Sequence, residues 1–210
     1  MMSNIWFTSD IHVSHNNIIK YCPWNRPWDN VEEMDEALIN MWNGVVGPED
    51  TVFFMGDFSL NFNRVLEVLP QLNGGTLNLV PGNHDKWHPM SSGHMQTRKK
   101  LESLKTKSRI ILCDPIETLK VGGAKFLLCH FPWAGDLDPH SDEHNKYEDR
   151  FKEWRPSRDV YPNHLLLHGH RHSTPKDRVG DRAIDVGIDP WGRILSLDEI
   201  MEIVESQERK

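Results

Sequence analysis

The chain has 210 residues, 38% hydrophobic and 26% charged, with a net charge of −7. That length makes one domain with a sizeable core. Mean hydropathy is −0.58 and no apolar run approaches the ~20 residues of a membrane helix, so a membrane partner is excluded. The acidic balance argues against life on a nucleic-acid backbone, which needs clustered Lys and Arg. The opening residues, Met1 to Phe7, show no secretory signal. Three cysteines (Cys22, Cys113, Cys129) are too few for a disulfide framework, so they read as reduced thiols and the protein as cytoplasmic.

In chain order, short apolar runs end abruptly in polar clusters. Ile5–Phe7 leads into Thr8, Ser9, Asp10, Ile11 and His12. Thr51–Met55 leads into Gly56-Asp57, and Leu77–Val80 into Gly82-Asn83-His84-Asp85. Phe126–Cys129 leads into His130, and Leu165–Leu167 into His168-Gly169-His170-Arg171-His172. Such runs read as buried strands, as do 109–113 and 183–187. Between them, Val31, Met34, Leu38, Met41, Trp42 and Val45 share one helical face, capped by Asn30 with Glu33 three residues on. Phe62, Val65, Leu66 and Leu69 predict a shorter helix. A capping box at Ser196 and Glu199 predicts another over 197–206. Strands alternating with helices make a single α/β domain over 1–210.

Two segments stand apart. Residues 98–109 are basic (Arg98, Lys99, Lys100, Lys105, Lys107, Arg109) and read as a solvated helix face, with an anion-attracting rim as the sharper alternative. Residues 131–163 carry four prolines (Pro132, Pro139, Pro156, Pro162) and no periodicity. They read either as a lid or binding loop or as a surface insertion.

Twelve histidines are the compositional anomaly. Imidazole is the commonest metal ligand and a frequent acid or base. Each polar cluster alone is weak, but each sits where a strand ends, and there α/β sheets gather ligand sites. Together the clusters read D-x-H, G-D, G-N-H-D, H and G-H-x-H, running in order from Asp10 to His172. This pattern resembles that of the calcineurin-like metallophosphoesterases. Ser9 to His15, Asn25-Arg26-Pro27 and Gly56 to Ser59 resemble a small bacterial and phage subgroup of that family.

The resemblance implies a sandwich of two mixed β-sheets flanked by helices, and two divalent metal ions. Mn, Fe, Zn or Ni would suit imidazole and carboxylate ligands, with Mn the first choice in vitro. One metal would take Asp10, His12, Asp57 and His172, and the other Asp57, Asn83, His130 and His170. A carboxylate has two oxygens and can bridge, which suits Asp57. A metal-bound hydroxide would attack phosphorus in line. His84 would protonate the leaving oxygen, with Asp85 orienting it and keeping it protonated; the other reading of Asp85 is a helix N-cap. His15 is a candidate phosphate contact. Arg26 is a candidate phosphate clamp, weighed against a structural ion pair.

Other residues read as structural. His168 and His164 flank a buried strand, and Cys129 should be buried. His88, His94, His140 and His144 read as mostly exposed. Trp24, Trp28, Trp133 and Trp154 either pack or stack on a base.

The expected activity is metal-dependent hydrolysis of a small, nucleotide-like phosphomonoester or phosphodiester. A nuclease of the same family is the alternative, with nucleic acid the less favoured substrate; residues 98–109 are its only candidate basic wall. A protein phosphatase and a catalytically silent scaffold are the others. Oligomeric state is left open.

Overall fold

A computed structural model of the chain describes residues 3–136 and 151–208. Pro139, His140 and His144 lie outside them.

Two five-stranded mixed sheets form the framework. In the first, β1 (Ile5–Thr8), β2 (Thr51–Met55), β3 (Thr76–Val80) and β4 (Arg109–Leu112) run parallel. The two-residue β10 (Leu195–Ser196) pairs antiparallel at the β1 edge. In the second, β6 (Ala124–Cys129), β7 (Leu165–His168) and β9 (Ala183–Asp185) are parallel. β5 (Ile116–Val121) and the short β8 (Val179–Gly180) flank them antiparallel.

Alternation along each strand explains the layering, because successive side chains face opposite sides of a sheet. On β2, Val52 and Phe54 face outward into a core shared with helices. Phe53 and Met55 face inward into the layer between the sheets. On β6, Phe126 and Leu128 fill that same inner layer, while Leu127 and Cys129 face out. Phe7 and Phe126 meet across it, ring centroids 6.2 Å apart.

Helices α1 (Ile18–Tyr21), α2 (Val31–Val45), α3 (Phe62–Val68) and α4 (His94–Glu102) make the crossovers of the first sheet. Met34, Leu38 and Trp42 of α2 and Val65 and Val68 of α3 cover its outer face. Asn30 caps α2 as expected: its side chain accepts the Glu33 N–H at 2.9 Å and donates to the Glu33 carboxylate at 2.8 Å. After the single-turn α5 (Ile188–Trp191), α6 (Leu197–Glu208) starts at the predicted Ser196–Glu199 box. α6 lays Ile200 against the inter-sheet layer. The sandwich inferred from the resemblance is the fold observed.

Three expectations change. The sequence reading passed over β5. The basic segment is helical only as far as Glu102, and Arg98 donates to the carbonyls of Leu112 and Cys113. The described flanks of 131–163 are structural: Phe131, Trp133 and Phe151 pack on Leu127, Cys129 and Leu166, covering the outer face of the second sheet.

Phe126 has no exposed surface. Phe126→Ala should cost about 3–5 kcal/mol. Leu60→Ala, at a residue 39% exposed, should cost within about 0.5 kcal/mol. Urea unfolding of the two variants checks the contrast.

Candidate metal centre

The parallel strands of both sheets end along one edge, and the five polar clusters meet there. Cross-links hold the sheets together at this edge, three of them as follows. The His170 N–H donates to the Asp10 carboxylate at 3.1 Å. His130 Nδ1 lies 2.8 Å from the Met55 carbonyl oxygen. Ser9 forms a lone bridge to Gly187.

The loops leave the strands by unusual turns. Asp10, His12, Asp57, His170 and His172 all have positive φ, between 45° and 70°. Such backbone costs about 1–3 kcal/mol per residue and survives only where the surroundings enforce it. They do so here: Asp10 N–H donates to the Gly56 carbonyl at 2.9 Å, and His12 N–H to that of Asp57 at 3.2 Å. Glycine is required beside them. A Cβ at Gly82 would collide with the Asp57 carboxylate, and one at Gly169 with that of Asp10.

The side chains converge. His12 Nε2 lies 3.7 Å from oxygens of both Asp10 and Asp57. His172 Nε2 is 3.8 Å from Asp10 and His130 Nε2 3.4 Å from Asp57. Asn83 Oδ1 is 3.0 Å from His130 Nε2 and 2.9 Å from His170 Nδ1. Asp10, His12 and His172 form one group able to hold a cation, and Asp10, Asp57 and His130 another. His12 supplies the test of fit. It is 2% exposed, and neither ring nitrogen has a hydrogen-bond partner. A buried polar atom without a partner is costly; a lone pair facing two carboxylates suits a shared cation.

Charge is concentrated to match. Burial raises the Asp10 carboxyl, but His12, His172 and His130 outweigh it and bring it to about 2. Burial likewise opposes ionisation of Asp57, which His130 and His12 nevertheless hold well below the usual range. Burial brings His12 down to about 4, keeping it neutral as a ligand must be.

The remaining predicted residues separate by depth. The His84 side chain is 46% exposed, with Nε2 3.9 Å from Asp57. Its own N–H donates to Asp57 at 2.9 Å. His15 is half-buried on the rim, its ring 5.6 Å from that of His12. Asp85 neither caps a helix nor binds the His84 ring. It is fully buried, and its two oxygens accept the N–H groups of Asp57, Phe58 and Gly82. It staples one loop to the next, with burial and the Asp57 charge pushing its carboxyl up to about 8.

Of the two readings of Arg26, the structure shows the structural ion pair and not an exposed phosphate clamp. It is 1% exposed. It grips Asp189 at 2.7 and 3.2 Å and donates to the carbonyls of Asp10 and Ile11. His88 is fully buried, not exposed, edge-on to Trp154 at 4.7 Å. Buried His168 and Cys129 conform to expectation.

Asp189 is the residue the sequence reading missed. Its carboxylate lies 2.6 Å from His172 Nδ1, fixing that ring and leaving Nε2 for the centre. The signal was present: a carboxylate just past the strand at 183–187 follows the same strand-end rule as the other clusters. Burial opposes its ionisation, but Arg26 and His172 hold it well below the usual carboxylate range. Asp189→Asn should weaken metal binding about 10–100-fold, read by titration with Mn²⁺. Stability from a depressed carboxyl is complete above the unfolded pKa, declines below it and is lost as pH falls through the folded one. The stability gap between parent and variant should therefore narrow below about pH 4, read by thermal unfolding across pH.

Comparison with known proteins agrees with this geometry. The model of the calcineurin-like phosphoesterase superfamily domain matches residues 4–187. A protein of Mycobacterium phage L5, called Gene 66 protein, is 36% identical over 97% of this chain and 95% of its own. An uncharacterized protein of Methanocaldococcus jannaschii is 31% identical over 97% of this chain and 93% of its own. The crystal structure of a protein of unknown function from Aquifex aeolicus superposes with a TM-score of 0.66 at 26% identity, covering 96% of this chain and all of that one. Motif, fold and matched span together place the chain in the calcineurin-like phosphoesterase superfamily.

Proposed function

We propose that the chain hydrolyses a small, nucleotide-like phosphomonoester or phosphodiester at a pair of divalent metal ions. The observation that carries this reading is the buried His12 imidazole, partnerless between Asp10 and Asp57 where five strand-end loops meet. Asp10, His12, Asp57 and His172 would hold one ion. Asp57, Asn83, His130 and His170 would hold the other, with Asp57 shared. Two such ions lower the pKa of a bound water towards ~7 and take up charge on the phosphoryl oxygens.

The protein's own groups do the rest. His84 is tied to the centre through its backbone N–H yet keeps its ring in reach of solvent. That combination suits a group that donates a proton to the leaving oxygen and is then reprotonated. Asp85 acts on His84 only through the loop that it staples. His15, on the rim beside His12, donates a hydrogen bond to a phosphoryl oxygen. Arg26 and Asp189 hold His172 from below. The three cysteines are buried and unpaired, which fits a reducing, cytoplasmic setting. Among the described residues no helix is long and apolar enough to cross a membrane.

Manganese is the first metal to try, with Fe, Zn and Ni as alternatives. In the Mn-loaded protein, His84→Ala should keep its metal while turnover of a generic aryl phosphate falls about 10²–10⁴-fold. Asp57→Asn should lose metal as well. Metal analysis beside the assay checks both. An active His84→Ala chain would remove the proton-donor role, and a metal-loaded parent idle on every phosphoester would remove the enzyme.

A further inference from the structure

A row of rings leads out of the centre. His172 and His12 lie 5.0 Å apart, His12 and His15 5.6 Å, and His15 and Tyr21 6.4 Å. From His12 outward exposure rises, from 2% there through half-buried His15 to 61% at Tyr21. A single exposed aromatic needs no explanation in itself. Tyr21 is distinguished by standing at the open end of a row whose other end holds metal ligands.

The row is fixed rather than fortuitous. The Asp35 carboxylate accepts the Ser14 N–H at 2.7 Å and the Ser14 hydroxyl at 2.8 Å. Arg64 braces both, donating to Ser14 at 2.8 Å and to Asp35 at 3.1 Å. Ser14 thereby keeps a φ of 61° and the next residue, His15, is held beside His12. α1 buries Ile18, and Cys22 just beyond its end is buried as well, while Tyr21 between them stands open to solvent. Beside this segment, Trp24 is 39% exposed and anchored through Nε1 to the Asp189 carbonyl at 3.1 Å.

We infer that Tyr21, next to His15, is a stacking platform for a planar group carried by the substrate, which makes phosphoesters bearing a nucleobase the preferred class. The inference rests on the phosphoesterase reading and sharpens it. With the phosphoryl group at the centre, the first ring step reaches a hydrogen-bonding imidazole suited to phosphate or sugar. The second reaches an apolar face open to a base. Stacking of bases on aromatic side chains tolerates any base, because every base has a π-face. The expected preference is therefore for a base over no base, with little choice among bases.

Matched pairs test it. AMP against ribose 5-phosphate serves for monoesters. Thymidine 5′-methylphosphate against its abasic counterpart serves for diesters. All are followed by ³¹P NMR with Mn-loaded protein. The parent should favour the base-bearing member of whichever pair it turns over. Tyr21→Ala should cut kcat/KM for that member about tenfold, mainly through KM, and leave the abasic member unchanged. Tyr21→Trp should retain the preference. Equal turnover of both members by the parent, or equal loss on both in Tyr21→Ala, would overturn the platform while leaving the phosphoesterase reading intact. A parent inactive on all four compounds and on aryl phosphates would instead overturn that reading, and the platform with it.

Discussion

Two ionised carboxylates, Asp10 and Asp57, sit 1% exposed in the seam where the sheets meet. Among the described residues neither has a lysine or arginine ion pair; their neighbours are imidazoles. Uncompensated buried charge is expensive. His12 adds little positive charge to offset it, because burial drives that ring towards its neutral form. The proposed pair of cations would settle the charge and give the His12 lone pair a partner at once. The strand-end loops follow from the same demand, since each has to turn sharply to bring its ligand to one point.

That turning is costly, and the cost shows in the backbone. The proposed ligands Asp10, His12, Asp57, His170 and His172 all adopt the left-handed region that β-carbons disfavour. The structure sustains this by tying loops from different strands to one another rather than by local turn chemistry. Asp85 joins the Gly56–Phe58 and Gly82 loops, and Asp10 receives the His170 N–H. Asp85 is thus as integral to this edge as the residues whose loops it joins. Gly82 and Gly169 meet the same constraint from the other side, because a methyl group would fill the space of the Asp57 carboxylate at the first and of the Asp10 carboxylate at the second.

Much of this was legible in the sequence because chemistry and punctuation coincide. An apolar strand that stops at Asp, Asn or His marks both an element boundary and a ligand, and the ligand clusters were read that way. The outer helices were legible from their period and caps, as at Asn30 and Ser196. Long-range pairing was not. Arg26 and Asp189 are 163 residues apart, and nothing local tells an arginine near a phosphate site that its partner is a buried aspartate. His88 looked exposed because it lies between turn-forming residues, but its burial comes from Trp154 and Phe131, distant in sequence. The strand at Ile116–Val121 escaped notice as an edge strand, half-covered and carrying Glu117, Lys120 and alternate exposure. The sandwich itself came from family resemblance, since periodicity distinguishes strands from helices but not one sheet from two.

The central claim is that Asp57 is shared between two cations. Electron paramagnetic resonance of the chain loaded with Mn²⁺ tests it most directly. Two ions per chain and the multiline signal of a spin-coupled pair are expected. A single isolated six-line manganese signal at saturating metal, or no bound manganese with Zn²⁺, Fe²⁺ and Ni²⁺ also failing to bind, would contradict it.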